Sequence, residues 1–272
     1  MKANLTNFDE IIKRFSLNNF ITEGGQVIDI HHEKKLSFPK AFSFYKEFLQ
    51  VVLSLRKDIL KEQWSEELFI QSCFQIIKIV EKYGGRFEIK GLDNLRKEPG
   101  PFVFVGNHMS TLETLIFPAV IGSIVNVTYV VKQSLITNSI FGHIMRTRNP
   151  IAVERKEPKK DLDIVLTKGT EILSGGRSIL IFPQSTRVAF FEPEKFNSLG
   201  IKLAKRAGVY VIPIALKTDF WENGKLLSTI GNIYPNRTVR IEFGAPVKIN
   251  GAGKKEHEQI IAFIQSCFDS WK

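Results

Sequence analysis

The chain has 272 residues, of which 43% are hydrophobic and 24% charged, a balance that suits a folded protein with a substantial core and argues against disorder. Against 28 Asp and Glu stand 38 Lys and Arg, and the net charge of +10 favours an anionic partner: a lipid surface, nucleic acid or a phosphorylated substrate. No uncharged apolar run reaches the ~20 residues that span a bilayer, so any membrane contact is expected to be peripheral, from the cytoplasmic side.

The polar start, with Asp9 and Glu10, does not read as a signal peptide. Residues 7–15 suit a short helix. The adjacent His31 and His32 have no spaced third ligand and read as solvent-facing rather than as a metal site. Pro39 opens a helix carrying Phe42, Phe44, Tyr45, Phe48, Leu49, Val52, Leu53 and Leu55, with basic residues at both ends. A second helix is predicted from Trp64 to Tyr83, its Phe69, Cys73, Ile76, Ile77 and Val80 recurring mostly three and four apart before Gly84-Gly85 stops it. The two helices make residues 1–85 an N-terminal helical region. A basic, aromatic-rich hairpin of this kind can pack on the rest of the chain, and can also lie on a membrane surface.

From Arg86 the pattern changes, and residues 86–272 read as an α/β domain. Short apolar runs at 87–89, 102–105, 127–131, 152–153, 178–182, 209–214 and 239–243 read as strands. Helices are predicted at 111–121, 162–173, 198–207 and 254–268. This alternation favours a mixed, largely parallel sheet flanked by helices. Cys73 and Cys267 sit in apolar helical contexts and read as small buried hydrophobes. Zinc-finger spacing and a glycine-rich phosphate loop are missing from the sequence, so nucleic acid is not the expected partner.

Two loops carry the chemistry. The strand Phe102 to Val105 runs into Gly106-Asn107-His108-Met109-Ser110-Thr111-Leu112-Glu113. A neutral histidine can take the proton of an attacking hydroxyl, and a carboxylate on its far ring nitrogen fixes the tautomer. Within one continuous helix His108 and Glu113 would point about 140° apart, so the pair requires a turn between them. A structural reading competes: Ser110 to Glu113 is also a capping-box pattern. Glu113→Gln is expected to separate the two, by keeping the cap and removing the charge. The second loop, Phe182-Pro183-Gln184-Ser185-Thr186-Arg187, follows a strand and offers a guanidinium suited to a two-pronged grip on phosphate.

These loops, in this order, resemble the motifs of the glycerolipid acyltransferase family, whose best-known members acylate lysophosphatidic acid. The stretch Asn107 to Glu113 resembles the first motif, a histidine followed by four residues and an aspartate. Glutamate stands here at the acidic position, as in relatives that acylate lipid A precursors. Phe182 to Arg187 resembles the third motif, phenylalanine-proline-glutamate-glycine-threonine-arginine, with Gln184 for the glutamate and Ser185 for the glycine. Phe141-Gly142 through Arg155 resembles the second motif. Val211 to Ala215, with Pro213, resembles the fourth, which shapes the acyl pocket or a sheet edge.

The resemblance covers roughly residues 86–247 and implies the following. His108 and Glu113 would be catalytic. Lys132, Arg155, Thr186 and Arg187 would bind substrate phosphate, and Asn107, Pro183, Gln184 and Ser185 would support the motifs. An acyl thioester, acyl-coenzyme A or acyl carrier protein, would donate its chain to a lysophospholipid or glycerophosphate-type acceptor at an anionic membrane surface. Backbone N–H groups at the start of the Ser110 helix would steady the oxyanion, and no metal or bound cofactor is called for. The alternative is a non-catalytic lipid-surface protein that keeps the fold.

Overall fold

The computed structural model describes residues 8–16, 20–21, 34–184, 186–224 and 229–272. His31, His32 and Ser185 lie outside them. The helices are α1 (Phe8–Ser16), α2 (Phe38–Leu60), α3 (Glu66–Lys82), α4 (Leu112–Val120), α5 (Gln133–Ile136), α6 (Gly142–Thr147), α7 (Pro158–Ser174), α8 (Leu199–Ala207) and α9 (Lys254–Ser270). The strands are β1 (Phe20–Ile21), β2 (Arg86–Lys90), β3 (Phe102–Gly106), β4 (Val127–Lys132), β5 (Ile151–Val153), β6 (Ser178–Ile181), β7 (Tyr210–Lys217) and β8 (Thr238–Phe243).

They form one sheet in the order β1-β2-β8-β7-β3-β6-β4-β5. From β7 to β5 all neighbours are parallel, β8 is antiparallel to β7, β2 is parallel to β8, and β1 is antiparallel to β2. The expected mixed, largely parallel sheet is therefore present. The period-two pleat sends alternate side chains to opposite faces. Phe102, Phe104, Leu180, Ile212, Ile214 and Leu216 join the core beneath α1 to α4. Val103, Val105, Ile179, Ile181, Val211 and Ala215 join the one beneath α7, α8 and α9. A Cβ at Gly200 would stand 2.4 Å from Val105 Cγ2, so only glycine lets α8 lie this close to β3.

Several differences between sequence and structure bear on the site and its surroundings. β6 ends at Ile181, one residue short of the predicted strand, and releases Phe182 toward the site. α5 and α6 fill a stretch with no predicted helix, because four and six residues are too few to show a helical period. Val211 to Ala215 is not at a sheet edge: β7 lies inside the sheet, between β8 and β3. Its Pro213 is tolerated where the β8 ladder stops, at Ile214 paired with Phe243. Finally, α4 begins at Leu112 with Thr111 as its N-cap, one residue beyond the predicted cap. Cys73 and Cys267 are free and buried, as read.

In open α/β sheets ligands sit beyond the carboxyl ends of the parallel strands. Here β3 and β6 end together and β7 runs three residues further, and the loops that follow carry His108, Phe182 and Thr218.

Candidate active site

The central strand β3 delivers Asn107 first. Its side-chain amide pairs both ways with the backbone of Leu216, donating to the carbonyl at 2.9 Å and accepting from the N–H at 2.8 Å. This prolongs the β3–β7 contact by one residue and fixes where the chain turns. His108 follows, its side chain only 12% exposed, with its ring stacked on Phe182 at 4.2 Å and 9°. The stacking sets the plane of the imidazole. Gln184 Oε1 accepts the His108 N–H at 3.2 Å, and Val188 donates its N–H to the His108 carbonyl at 3.0 Å. The loop after β6 thus clasps the loop after β3 from both sides.

Glu113 is fully buried in the first turn of α4. Its Oε1 lies 3.1 Å from His108 Nδ1 and accepts from the N–H groups of Met109 (2.6 Å) and Ser110 (2.9 Å). Its Oε2 accepts from the Ser110 hydroxyl (2.9 Å) and the Thr218 hydroxyl (2.6 Å). Burial works against ionisation of the carboxyl. The bond and charge of His108, with the bonds from Thr218 and the Ser110 N–H, outweigh it, and the pKa lies below the ordinary glutamate value. With Glu113 ionised, Nδ1 carries the ring proton and the opposite nitrogen presents a lone pair. The pairing reading holds in geometry and the capping reading only in half. Glu113 bonds back to the Ser110 N–H, but the Ser110 hydroxyl accepts from the N–H of Leu112 rather than that of Glu113, and the same carboxylate meets His108.

The expected phosphate ligands distribute unevenly. Arg187 is partly buried near the pair. Burial lowers its pKa, the charge of Glu113 raises it and that of Arg155 lowers it, so the two guanidiniums and the carboxylate share one field. Arg155 is exposed, with a positive φ of 63° stabilised by Asp161, whose carboxylate accepts the Arg155 N–H at 2.8 Å. Thr186 is exposed on the same loop as Arg187. Lys132 is exposed at the end of β4, two strands from β3 in the sheet. Pro183 and Gln184 are buried. Among the described residues no three His, Cys, Asp or Glu side chains gather as metal ligands.

Sequence reasoning missed Thr218, which is wholly buried and donates to Glu113. Its place directly after Lys217, at the carboxyl end of a strand neighbouring β3, shows only once the strand order is known. Three backbone N–H groups around the His108 turn are spoken for. That of His108 goes to Gln184, and those of Met109 and Ser110 go to Glu113. The turn before α4 is therefore a carboxylate cradle.

Comparison with known proteins agrees with this geometry. The family model described as Acyltransferase matches residues 86–217. The chain is 31% identical over 189 residues to a 1-acyl-sn-glycerol-3-phosphate acyltransferase of Pseudomonas aeruginosa, covering 69% of this chain and 68% of that one. It is 28% identical over 180 residues to the chloroplastic 1-acyl-sn-glycerol-3-phosphate acyltransferase LPAT1 of Arabidopsis thaliana, of which it spans about half (48%). The crystal structure of the 1-acyl-sn-glycerophosphate (LPA) acyltransferase PlsC of Thermotoga maritima shares the fold, with a TM-score of 0.61 over 86% of this chain and 95% of that one, at 16% identity. A histidine and a buried carboxylate poised at the end of a central parallel strand, in a chain this similar to such proteins, place it in the glycerolipid acyltransferase family.

Proposed function

We propose that this protein transfers an acyl chain from an acyl thioester to the hydroxyl of lysophosphatidic acid or a related phosphate-bearing acceptor. The observation that carries the reading is the His108–Glu113 contact, with the carboxylate buried, ionised and held by donors on every side. His108 takes the hydroxyl proton on the nitrogen facing away from Glu113, and Glu113 steadies the imidazolium that forms. The oxygen attacks the thioester carbonyl directly. The carbon–sulfur bond then breaks, and the thiolate leaves with the proton that His108 returns.

Arg187, assisted by Arg155 and Thr186, holds the acceptor phosphate, with Lys132 further out along the sheet edge. Asn107, Pro183, Gln184 and Ser185 support the two loops. Acyl-coenzyme A and acyl carrier protein are both anionic donors that suit a chain of net charge +10. The acceptor is an amphiphile, so the site works at a lipid surface. Among the described residues no helix is long and apolar enough to cross a membrane, and attachment is peripheral. An exposed stripe of α2 offers the means: Phe38, Phe42, Leu49, Leu53 and Leu60 recur at four- and seven-residue intervals on one side of the helix, beside the exposed Lys46 and Lys57.

The test is thiol release from acyl-coenzyme A and acyl-carrier-protein donors, with lysophosphatidic acid, glycerol phosphate and neutral lyso-lipids as acceptors. Release should depend on an acceptor and vanish in His108→Ala. Arg187→Ala should raise KM for phosphate-bearing acceptors more than for neutral ones. Folded protein that releases no thiol from any pair, with lipid present, would shift the reading to a lipid-surface protein without catalysis.

A further inference from the structure

An acyl transfer develops negative charge on the thioester carbonyl oxygen, and fixed hydrogen-bond donors at that point are usually the largest single source of acceleration. The backbone N–H groups of His108, Met109 and Ser110 cannot supply them, since they are already bonded to Gln184 and Glu113. One strong donor beside His108 is unspent. Gln184 is 2% exposed, its Oε1 accepts the His108 N–H, and its Nε2 is buried with no hydrogen-bond partner among the described residues.

The orientation of that amide is determined. Turning it over would set an N–H against the His108 N–H, so the accepted bond holds the oxygen toward the backbone and leaves the NH2 group unpaired. A buried amide left so is costly unless something arrives to accept from it. We propose that Gln184 Nε2 is an oxyanion donor of the acyl transfer, bonding to the thioester carbonyl oxygen as His108 withdraws the acceptor proton. This rests on the acyl-transfer reading above. The donor keeps its proton throughout: it stabilises the tetrahedral oxyanion, which collapses with loss of the thiolate.

The Thr111 hydroxyl is also buried without a partner among the described residues. It rotates, however, and is not anchored to His108, whereas the Gln184 carboxamide is anchored before substrate arrives. The family pattern carries glutamate at this place, and an ionised carboxylate can accept but not donate. The donor is thus a property of this chain's own substitution.

Three variants of the intact protein separate the possibilities, with kcat and KM measured for donor and acceptor. Gln184→Met removes both halves of the amide. Gln184→Glu keeps the acceptor for the His108 N–H and removes only the donor. Thr111→Val tests the competing hydroxyl. Both Gln184 variants should lose about 100-fold or more in kcat with KM nearly unchanged, the usual cost of one missing oxyanion donor, while Thr111→Val keeps its rate. Rescue of kcat by glutamate would leave Gln184 a purely positioning role and overturn the proposal. So would a loss confined to acceptor KM, or a loss that falls on Thr111→Val instead. If wild type is active, His108→Ala is dead and both Gln184 variants run at the wild-type rate, the oxyanion role alone fails. If wild type shows no acceptor-dependent release, the acyl-transfer reading fails first.

Discussion

At the scale of single residues the site turns on one carboxylate. Both Glu113 oxygens accept, from two backbone N–H groups, two hydroxyls and His108. By keeping the cap, as expected from the sequence, Glu113→Gln would leave stability nearly untouched. The structure argues otherwise, because the new NH2 group would face donors in a wholly buried position. An unmatched buried polar group costs about 1–3 kcal/mol, so Glu113→Gln should lower Tm visibly as well as reduce acyl transfer. Acid provides a second check. The folded-state pKa of Glu113 lies below its unfolded value, so its contribution is complete above the ordinary glutamate pKa of about 4.3 and is lost as pH falls through the lower folded value. Wild-type Tm should therefore fall more steeply below about pH 4.3 than that of Glu113→Gln. Parallel acid profiles for the two proteins would mean that folding leaves the Glu113 pKa at its unfolded value. What the sequence could show of this site was the His108-to-Glu113 spacing. It could not show Thr218, which is 105 residues from Glu113 along the chain and reaches it through strand order alone.

At the scale of elements, legibility followed length and period. α3, α7, α8, α9 and the strands from β2 to β8 lie close to their predicted positions, because each buries one recurrent face or a continuous apolar run. α5 and α6 were invisible because neither is long enough to repeat. α2 is the informative intermediate case. Its Phe44, Phe48, Val52 and Leu55 are buried, while Phe38 is 84% and Phe42 63% exposed on a neighbouring side. The sequence showed an aromatic, basic helix but could not divide the two sides, since both are apolar. An exposed apolar stripe beside lysines is suited to the headgroup boundary of a bilayer. Phe42→Glu with Leu53→Glu should weaken sedimentation with anionic vesicles and leave Tm unchanged, because neither side chain packs in the core. Unaltered vesicle binding by the folded double variant would remove α2 from membrane attachment.

At the scale of the molecule, the change of pattern at Arg86 marks a change of architecture, and the question is whether it also marks a boundary in stability. Contacts across it are extensive. Phe44 of α2 meets Phe220 and Trp221, with ring centroids 6.3 and 5.0 Å apart. The Tyr45 hydroxyl donates to the Gly231 carbonyl at 2.7 Å and accepts the Gly231 N–H at 2.9 Å, and burial pushes its pKa up to about 12. The wholly buried guanidinium side of Arg148 pairs with Glu66 at the start of α3 and stacks over Phe69 at 4.6 Å. Trp221 is fully buried, and α2 supplies much of what covers it. Taking α2 and α3 away would expose these rings to water, so the helices and the sheet should unfold together rather than as two units. Calorimetry should give a single transition, with calorimetric and van't Hoff enthalpies equal. Phe44→Ala removes a core ring worth about 3–5 kcal/mol and should move that whole transition downward without splitting it. An early separate transition in the variant, with the sheet still folded and His108-dependent activity retained, would show instead that residues 1–85 are an independent unit resting on a self-sufficient acyltransferase domain.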